Sequence, residues 1–350
     1  MQMMISDRMV GDDCPVFFIA EAGVNHNGST ELGVELVDAA AEAGVDAVKF
    51  QTFKAKNLNV RTAPKSSYHV QTTGSDAEQT WYELLKTQEM SPEMHQRLME
   101  RCREKNIIFL STPYDPWSAD LLEQLGVAAY KLASTDTTNL PLIRHIARKG
   151  APFVISTAMC SMDDVRAAVN AIRAEGLEDF AVLQCTGNYP ARLEDANLRV
   201  METYRRELGC LVGYSDHTPE LVNPIAATAM GACIYEKHFT LDKNLPGPDH
   251  RMSLSPQELK ATVEAIRQTE QALGSAEKFV LPSEKENSLK LRKSLVAARR
   301  LRAGETLSEA MLLAKRPGSG VSPSRLDELI GRRLIRDLEE DALIQWEDVE

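Results

Sequence analysis

Two histidines, His217 in "GYSDHT" and His238 in "IYEKHF", stand where apolar runs turn polar. A run built for the core that ends in titratable groups carries chemistry to the edge of that core. Imidazoles brought together from neighbouring elements suit a borderline divalent metal such as Mn²⁺, Zn²⁺ or Co²⁺. Glu21 and Glu236 close similar runs, as water-bridged ligands or as a general base, and Asp216 can orient a neighbour from behind. Lys49 and Lys131 end segments otherwise rich in Val, Phe, Leu and Ala. A buried lysine needs an anion, either a protein carboxylate or a bound ligand. Thr112, Ser134, Ser156 and Ser215 add hydroxyls, and with the two lysines they form a cradle for phosphate and carboxylate. Any one of these residues alone is most simply a polar strand end. Their recurrence is what calls for a shared site.

The elements that must position them are eight short apolar runs: "VFFIAEAG", "DAVKFQTF", "IIFLSTP", "AAYKLAST", "PFVISTA", "FAVLQCTGNYP", "CLVGYSDHT" and "ACIYEKHFTLD". Between them lie segments with helical apolar spacing, several closed by glycine. Eight strand-helix units over residues 15 to 275 predict a (β/α)₈ TIM barrel, whose usual size is about 250 residues. In that architecture the C-terminal strand ends converge on one face, so the polar endings become the walls of one pocket. A doubly wound sheet is the structural alternative, but neither its glycine-rich fingerprint nor a P-loop is present.

Composition narrows the partners. A formal charge of −11 argues against nucleic acid, so an anionic substrate requires a local basic pocket. Six cysteines without CxxC pairing read as reduced thiols rather than disulfides or a zinc site. No apolar stretch approaches the roughly 20 residues of a membrane span, and the N-terminus is charged where a signal peptide would be apolar. The chain is therefore read as cytoplasmic. Residues 1–275 are expected to form the barrel, 276–292 a polar linker, and 293–350 a small separate domain of short strands and Gly/Pro turns. The basic runs "RRLRAG" and "KRPGSG" in that domain stand out against an acidic body.

The runs "FIAEAGVNHNGS", "AVKFQTF", "FLSTPYD", "YKLAS", "CTGNYP", "GYSDHT" and "EKHFTLDKNLPGPDH" resemble, in order, the signature segments of the sialic acid synthases. The C-terminal portion resembles the antifreeze-like (SAF) domain of that family, so the similarity spans nearly the whole chain. The resemblance implies condensation of phosphoenolpyruvate with an N-acetylated mannosamine-type sugar, giving a nine-carbon 2-keto-3-deoxy acid and phosphate with C–O cleavage. It implies a divalent metal on His217 and His238, usually Mn²⁺ with Mg²⁺ or Co²⁺ as substitutes, that polarises the sugar aldehyde. Lys49, Thr112, Lys131, Ser134, Ser156 and Ser215 would hold phosphoenolpyruvate, while Glu21, Gln51, Tyr189 and Asp249 would meet the sugar. Glu21 and Glu236 are the expected catalytic carboxylates, with Glu236 in proton transfer or water positioning. The resemblance further implies a domain-swapped homodimer in which Arg316 reaches the acetamido group of the sugar in the other subunit.

One position departs from the family pattern. Gly187 in "CTGNYP" stands where a side-chain amide is common, and Asn188 faces the other way in an extended segment. Three competing readings stay open: a Schiff-base aldolase using Lys131, a metal-dependent sugar isomerase or hydrolase on the same fold, and a carbohydrate-binding protein. The acceptor is open between N-acetylmannosamine and the 2,4-diacetamido-2,4,6-trideoxymannose of N,N'-diacetyllegionaminate synthases. A phosphorylated acceptor would need a further basic contact at the far end of the sugar. The segment between the second and third strands is expected to border the sugar.

Overall fold

The computed structural model describes residues 1–350, in two compact units, Met1–Gly274 and Ser275–Glu350. In the first unit all eight expected runs form strands: β1 Phe17–Gly23, β2 Ala47–Thr52, β3 Ile108–Pro113, β4 Tyr130–Leu132, β5 Phe153–Ser156, β6 Phe180–Cys185, β7 Leu211–Asp216 and β8 Ile234–His238. They make one parallel sheet in the order β3-β2-β1-β8-β7-β6-β5-β4, and β3 lies against β4. Pairing of the first strand with the last closes the sheet into a (β/α)₈ barrel.

Successive side chains of a strand point to opposite faces, which divides the apolar residues into two cores. Phe18, Val48, Phe50, Val182, Val212 and Tyr235 pack outward among helix residues. Ile19, Ala47, Leu110, Val154, Leu183 and Ile234 fill the interior. Packing there is close enough to require glycine at 213, where a Cβ would collide with the Ile234 carbonyl and lie 2.7 Å from Leu183 Cδ2.

An antiparallel hairpin, Gln2–Ile5 with Arg8–Gly11, precedes the barrel. Its Met3, Ile5 and Val10 join the interior cluster beside residues that begin the strands, Phe17, Ile108, Leu211 and Ile234. The hairpin therefore forms the floor of the barrel. Its two four-residue strands, which precede the first of the eight apolar runs, offer too few positions to display a period in the sequence.

Amphipathic helices follow the strands. Met162–Ala174 is typical: Ser161 and Asp164 make a reciprocal capping box at its start, and Val165, Ala168, Val169 and Ile172 face the sheet. Between β2 and helix Pro92–Lys105 the chain inserts three short helices, Ala55–Leu58, Ser67–Thr73 and Trp81–Thr87. No helix is long and apolar enough to cross a membrane.

The second unit has its own core of Leu295, Ala297, Leu301, Leu307, Leu329, Leu334, Leu338 and Ile344. Its strands Ser294–Ala297 and Leu312–Lys315 pair antiparallel. Residues 276–292, read from composition as linker, include the helix Lys285–Leu291, none of whose residues is buried.

Candidate active site

The inward-facing residues at the C-terminal strand ends form a single polar layer. Strand register places Lys49 beside Glu21, Thr112 beside Gln51, Ser215 beside Glu236, and His238 beside Glu21. These residues line one cavity of about 490 Å³ together with Lys131, Ser134, Ser156, Tyr189, His217 and Asp249. That size is typical of a small-molecule pocket. Arg316 alone among the expected site residues belongs to the other unit, where it is exposed just after the strand Leu312–Lys315.

At the base of the pocket two buried lysines share two buried carboxylates. Lys49 Nζ lies 2.6 Å from Glu21 Oε2 and 3.7 Å from Glu236 Oε2, and Lys131 Nζ lies 3.2 Å from Glu236 Oε1. The hydroxyls knit the group together: Lys49 donates to Thr112 at 3.0 Å, Lys131 to Ser156 at 2.7 Å, and Ser215 to Glu236 at 2.9 Å. Gln51 Nε2 donates to Glu21 Oε1 at 3.0 Å, while Ser134 Oγ accepts from the Ala158 amide at 2.9 Å. Burial alone would push Glu236 up, but Lys131 and Lys49 outweigh it and hold the carboxyl at about 2. Burial likewise opposes charge on Lys49, and Glu21 and Glu236 more than compensate, raising its pKa. For Glu21 burial wins over Lys49, and its pKa rises. The arrangement is a buried pair of cations whose countercharge the protein itself supplies.

The two histidines meet as expected, with ring centroids 5.5 Å apart and Tyr189 over His217 at 4.1 Å. His217 Nδ1 is 2.6 Å from the Thr186 carbonyl. A carbonyl only accepts, so Nδ1 carries a proton, and in the neutral ring Nε2 keeps its lone pair. His238 Nδ1 is buried without a partner. Asp216 points away from the pocket, accepting from the Thr218 amide and hydroxyl, from Tyr235 at 2.5 Å and from Lys237 at 2.9 Å. It braces the turn that carries His217.

Comparison with known proteins accords with this geometry. The NeuB family profile matches residues 36–278, and the SAF domain profile matches residues 292–350. The chain belongs to the NeuB family. It is 44% identical over 346 residues to the N,N'-diacetyllegionaminic acid synthase of Legionella pneumophila, covering 97% of this chain and 96% of that one. To the protein of the same name from Campylobacter jejuni it is 42% identical, covering 93% and 98%. The solved structure of spore coat polysaccharide biosynthesis protein spsE from Bacillus subtilis superposes with a TM-score of 0.68 at 37% identity, covering 100% and 99%. The NeuB chain is thus a carbon–carbon bond-forming synthase built as a TIM barrel followed by a SAF domain.

Further residues of the NeuB pocket escaped the sequence reading. Tyr114 and Asp136 line it from just beyond β3 and β4, and Cys185 closes β6 with its sulfur 3.8 Å from His217 Nδ1. Cys185 was readable as one more strand end. Gly187 and Tyr189 line the cavity and Asn188 does not, in a bend just beyond the end of β6. A Cβ at 187 would stand 3.0 Å from Met159 Cγ, so Met159 occupies the space beside this glycine. The Lys131 amine, already engaged by Ser156, the Leu132 carbonyl and Glu236, is poorly placed as a free Schiff-base nucleophile.

Proposed function

We propose that this NeuB-family chain condenses phosphoenolpyruvate with an N-acetylated mannosamine-type sugar to give a nine-carbon 2-keto-3-deoxy acid and inorganic phosphate. The observation that carries the reading is the buried Lys49–Glu236–Lys131 cluster with its ring of hydroxyls. A small ligand bearing both carboxylate and phosphate matches two lysines and the hydroxyls of Thr112, Ser134, Ser156 and Ser215. Glu236, held between the lysines and oriented by Ser215, is assigned to positioning the water that attacks C2. Glu21 and Gln51, bonded to each other, with Tyr189 and Asp249, are assigned to the acceptor sugar.

His217 and His238 are the candidate holders of a divalent metal, with Mn²⁺ the first choice and Mg²⁺ or Co²⁺ as substitutes: both line the same cavity, His217 with Nδ1 set on the Thr186 carbonyl and His238 with a buried Nδ1 that no side chain engages, and water or substrate would complete the coordination. When bound, the ion would supply Lewis-acid polarisation of the open-chain aldehyde, the carbon to which C3 of phosphoenolpyruvate is joined in the proposed condensation. The protein's own part is to hold the anion against the lysines and the acceptor above it, in line for that bond.

For the acceptor, N-acetylmannosamine and 2,4-diacetamido-2,4,6-trideoxymannose both belong to the proposed class, and the names of the two relatives favour the second. We extend the proposal to a domain-swapped homodimer in which Arg316 serves the site of the partner. The deciding experiment follows phosphate release by EDTA-treated protein given phosphoenolpyruvate and each sugar, with and without Mn²⁺, and weighs the product by mass spectrometry. Metal-dependent release with a product of the condensed mass is expected. Turnover of a sugar without phosphoenolpyruvate would refute the reading and favour an isomerase.

A further inference from the structure

Strands β7 and β8 run side by side, and their polar residues face each other in successive pairs. Ser215 stands opposite Glu236 and Asp216 opposite Lys237, and one step further the chain reaches His217 and His238. Ser215, Glu236, His217 and His238 line the cavity, whereas Asp216 and Lys237 do not. Along β8, Tyr235 and Lys237 share the outer face of the barrel wall, where Tyr235 packs among helix residues. Both donate to Asp216 Oδ2, Tyr235 at 2.5 Å and Lys237 at 2.9 Å. Asp216 Oδ1 accepts from the Thr218 amide at 2.9 Å and from its hydroxyl at 2.8 Å, and Lys237 also donates to the Thr218 carbonyl. Asn223, on helix Val222–Ala229, donates to the Thr218 hydroxyl at 3.0 Å. The turn that carries His217 is thus tied to β8 and to the helix behind it.

Stability alone does not account for the pair. Its side chains are 0% and 4% exposed, and Asp216 is the only carboxylate within ion-pair distance of Lys237. Burying two charges costs desolvation, and apolar residues of like volume often serve stability as well. What apolar residues cannot supply is a directional bond across two strands.

The inward pairs on either side differ in what holds them. Ser215 donates to Glu236 at 2.9 Å, and Lys131 and Lys49 face the same carboxylate. The two histidines share no hydrogen bond: their ring centroids are 5.5 Å apart, and His238 Nδ1 is buried without a partner. Their separation comes from the backbone, and the backbone is fixed from behind.

We propose that Asp216 and Lys237, with Tyr235, are positioning residues that clamp the ends of β7 and β8 and so hold His217 and His238 at one separation, ready for a divalent cation. This rests on the metal assignment made above and extends it behind the cavity wall. None of the three lines the cavity, so they act on the cation only through the histidines.

The test titrates EDTA-stripped full-length protein with Mn²⁺, following the free ion by electron paramagnetic resonance. A second titration adds phosphoenolpyruvate without metal and follows the heat of binding. Two variants loosen the clamp: Tyr235→Phe, which keeps the ring in the outer core, and Asp216→Asn combined with Lys237→Met, which leaves no lone buried charge. The double variant should weaken Mn²⁺ binding about 10–100-fold, and Tyr235→Phe should weaken it less. Phosphoenolpyruvate affinity should stay unchanged in both, since Lys49, Lys131 and their hydroxyls keep their own bonds. Equal weakening of the two ligands would show a general loosening of the barrel and overturn the proposal, as would unchanged Mn²⁺ affinity in the double variant. Where the double variant does not fold, Tyr235→Phe decides by the same two titrations. Wild-type protein that binds phosphoenolpyruvate but not Mn²⁺ would remove the metal assignment and the clamp with it, and leave the anion site standing; binding of neither would remove both.

Discussion

Glu236 is the residue on which the base of the pocket turns, because it alone faces both lysines. Replacing it by Gln leaves Lys49 with one carboxylate and Lys131 with none, a loss of about 3 kcal/mol for a buried pair. Phosphoenolpyruvate brings back the missing negative charge. Thermal unfolding should therefore show a lower melting temperature for Glu236→Gln and a larger rise on adding phosphoenolpyruvate than in the wild type; an equal or smaller rise would speak against anion binding there. Turnover of this variant should fall at least about 100-fold if Glu236 handles the attacking water. Asp249 gives a second prediction. Burial, reinforced by Glu21, lifts its carboxyl to about 7. A pKa raised in the folded state means that the native protein holds a proton the unfolded chain has released, so stability declines as pH rises from about 4 to about 7. Asp249→Asn, free of that slope, should match the wild type near pH 4 and exceed it by about 1–2 kcal/mol at pH 8 in metal-free protein, the cavity water moderating the full shift. Parallel stability curves would rule this out. The chemistry-bearing residues were legible because each interrupts an apolar run: Glu21, Lys49, Lys131, Glu236 and both histidines all reach the cavity. Gln88, which lines the cavity too, was not legible, since a glutamine after a short helix carries no sign that its oxygen will be buried and alone.

At the scale of elements, the eight strands were legible for the same reason the barrel holds: both faces of each are covered, so each run is almost wholly apolar until it reaches the site. The segment between β2 and helix Pro92–Lys105 was legible only as a border of the pocket. Its helices of four to seven residues have too few turns to display a period and are placed by tertiary contacts. The hairpin at the floor can be tested apart from the chemistry. Ile5 is fully buried in the inner cluster, and Ile5→Ala should cost about 2–5 kcal/mol in denaturant unfolding. The Michaelis constants should stay put, since neither hairpin strand contributes to the cavity lining. A change in KM without a change in stability would show that the floor and the site are coupled.

For the whole molecule, the two compact units raise the question of what the SAF domain contributes. If Arg316 serves the partner's site, two inactive variants should rescue each other. Mixed and refolded together, Arg316→Ala and Lys131→Met subunits would form heterodimers with one intact site, and activity should recover to about a quarter of the wild type. No recovery, with heterodimers verified by mass, would leave Arg316 outside the swapped site. The barrel itself sets one more constraint, which follows from its floor. With Met3, Ile5 and Val10 packed into the strand beginnings, the interior is a well with a single mouth, and its lysines lie at the bottom, 3% and 2% exposed. Traffic through such a well is a queue: the molecule that occupies Lys49 and Lys131 must arrive before the one that sits above it. Steady-state patterns should accordingly show compulsory order, phosphoenolpyruvate first and the sugar second, with excess sugar able to shut the enzyme down by entering out of turn.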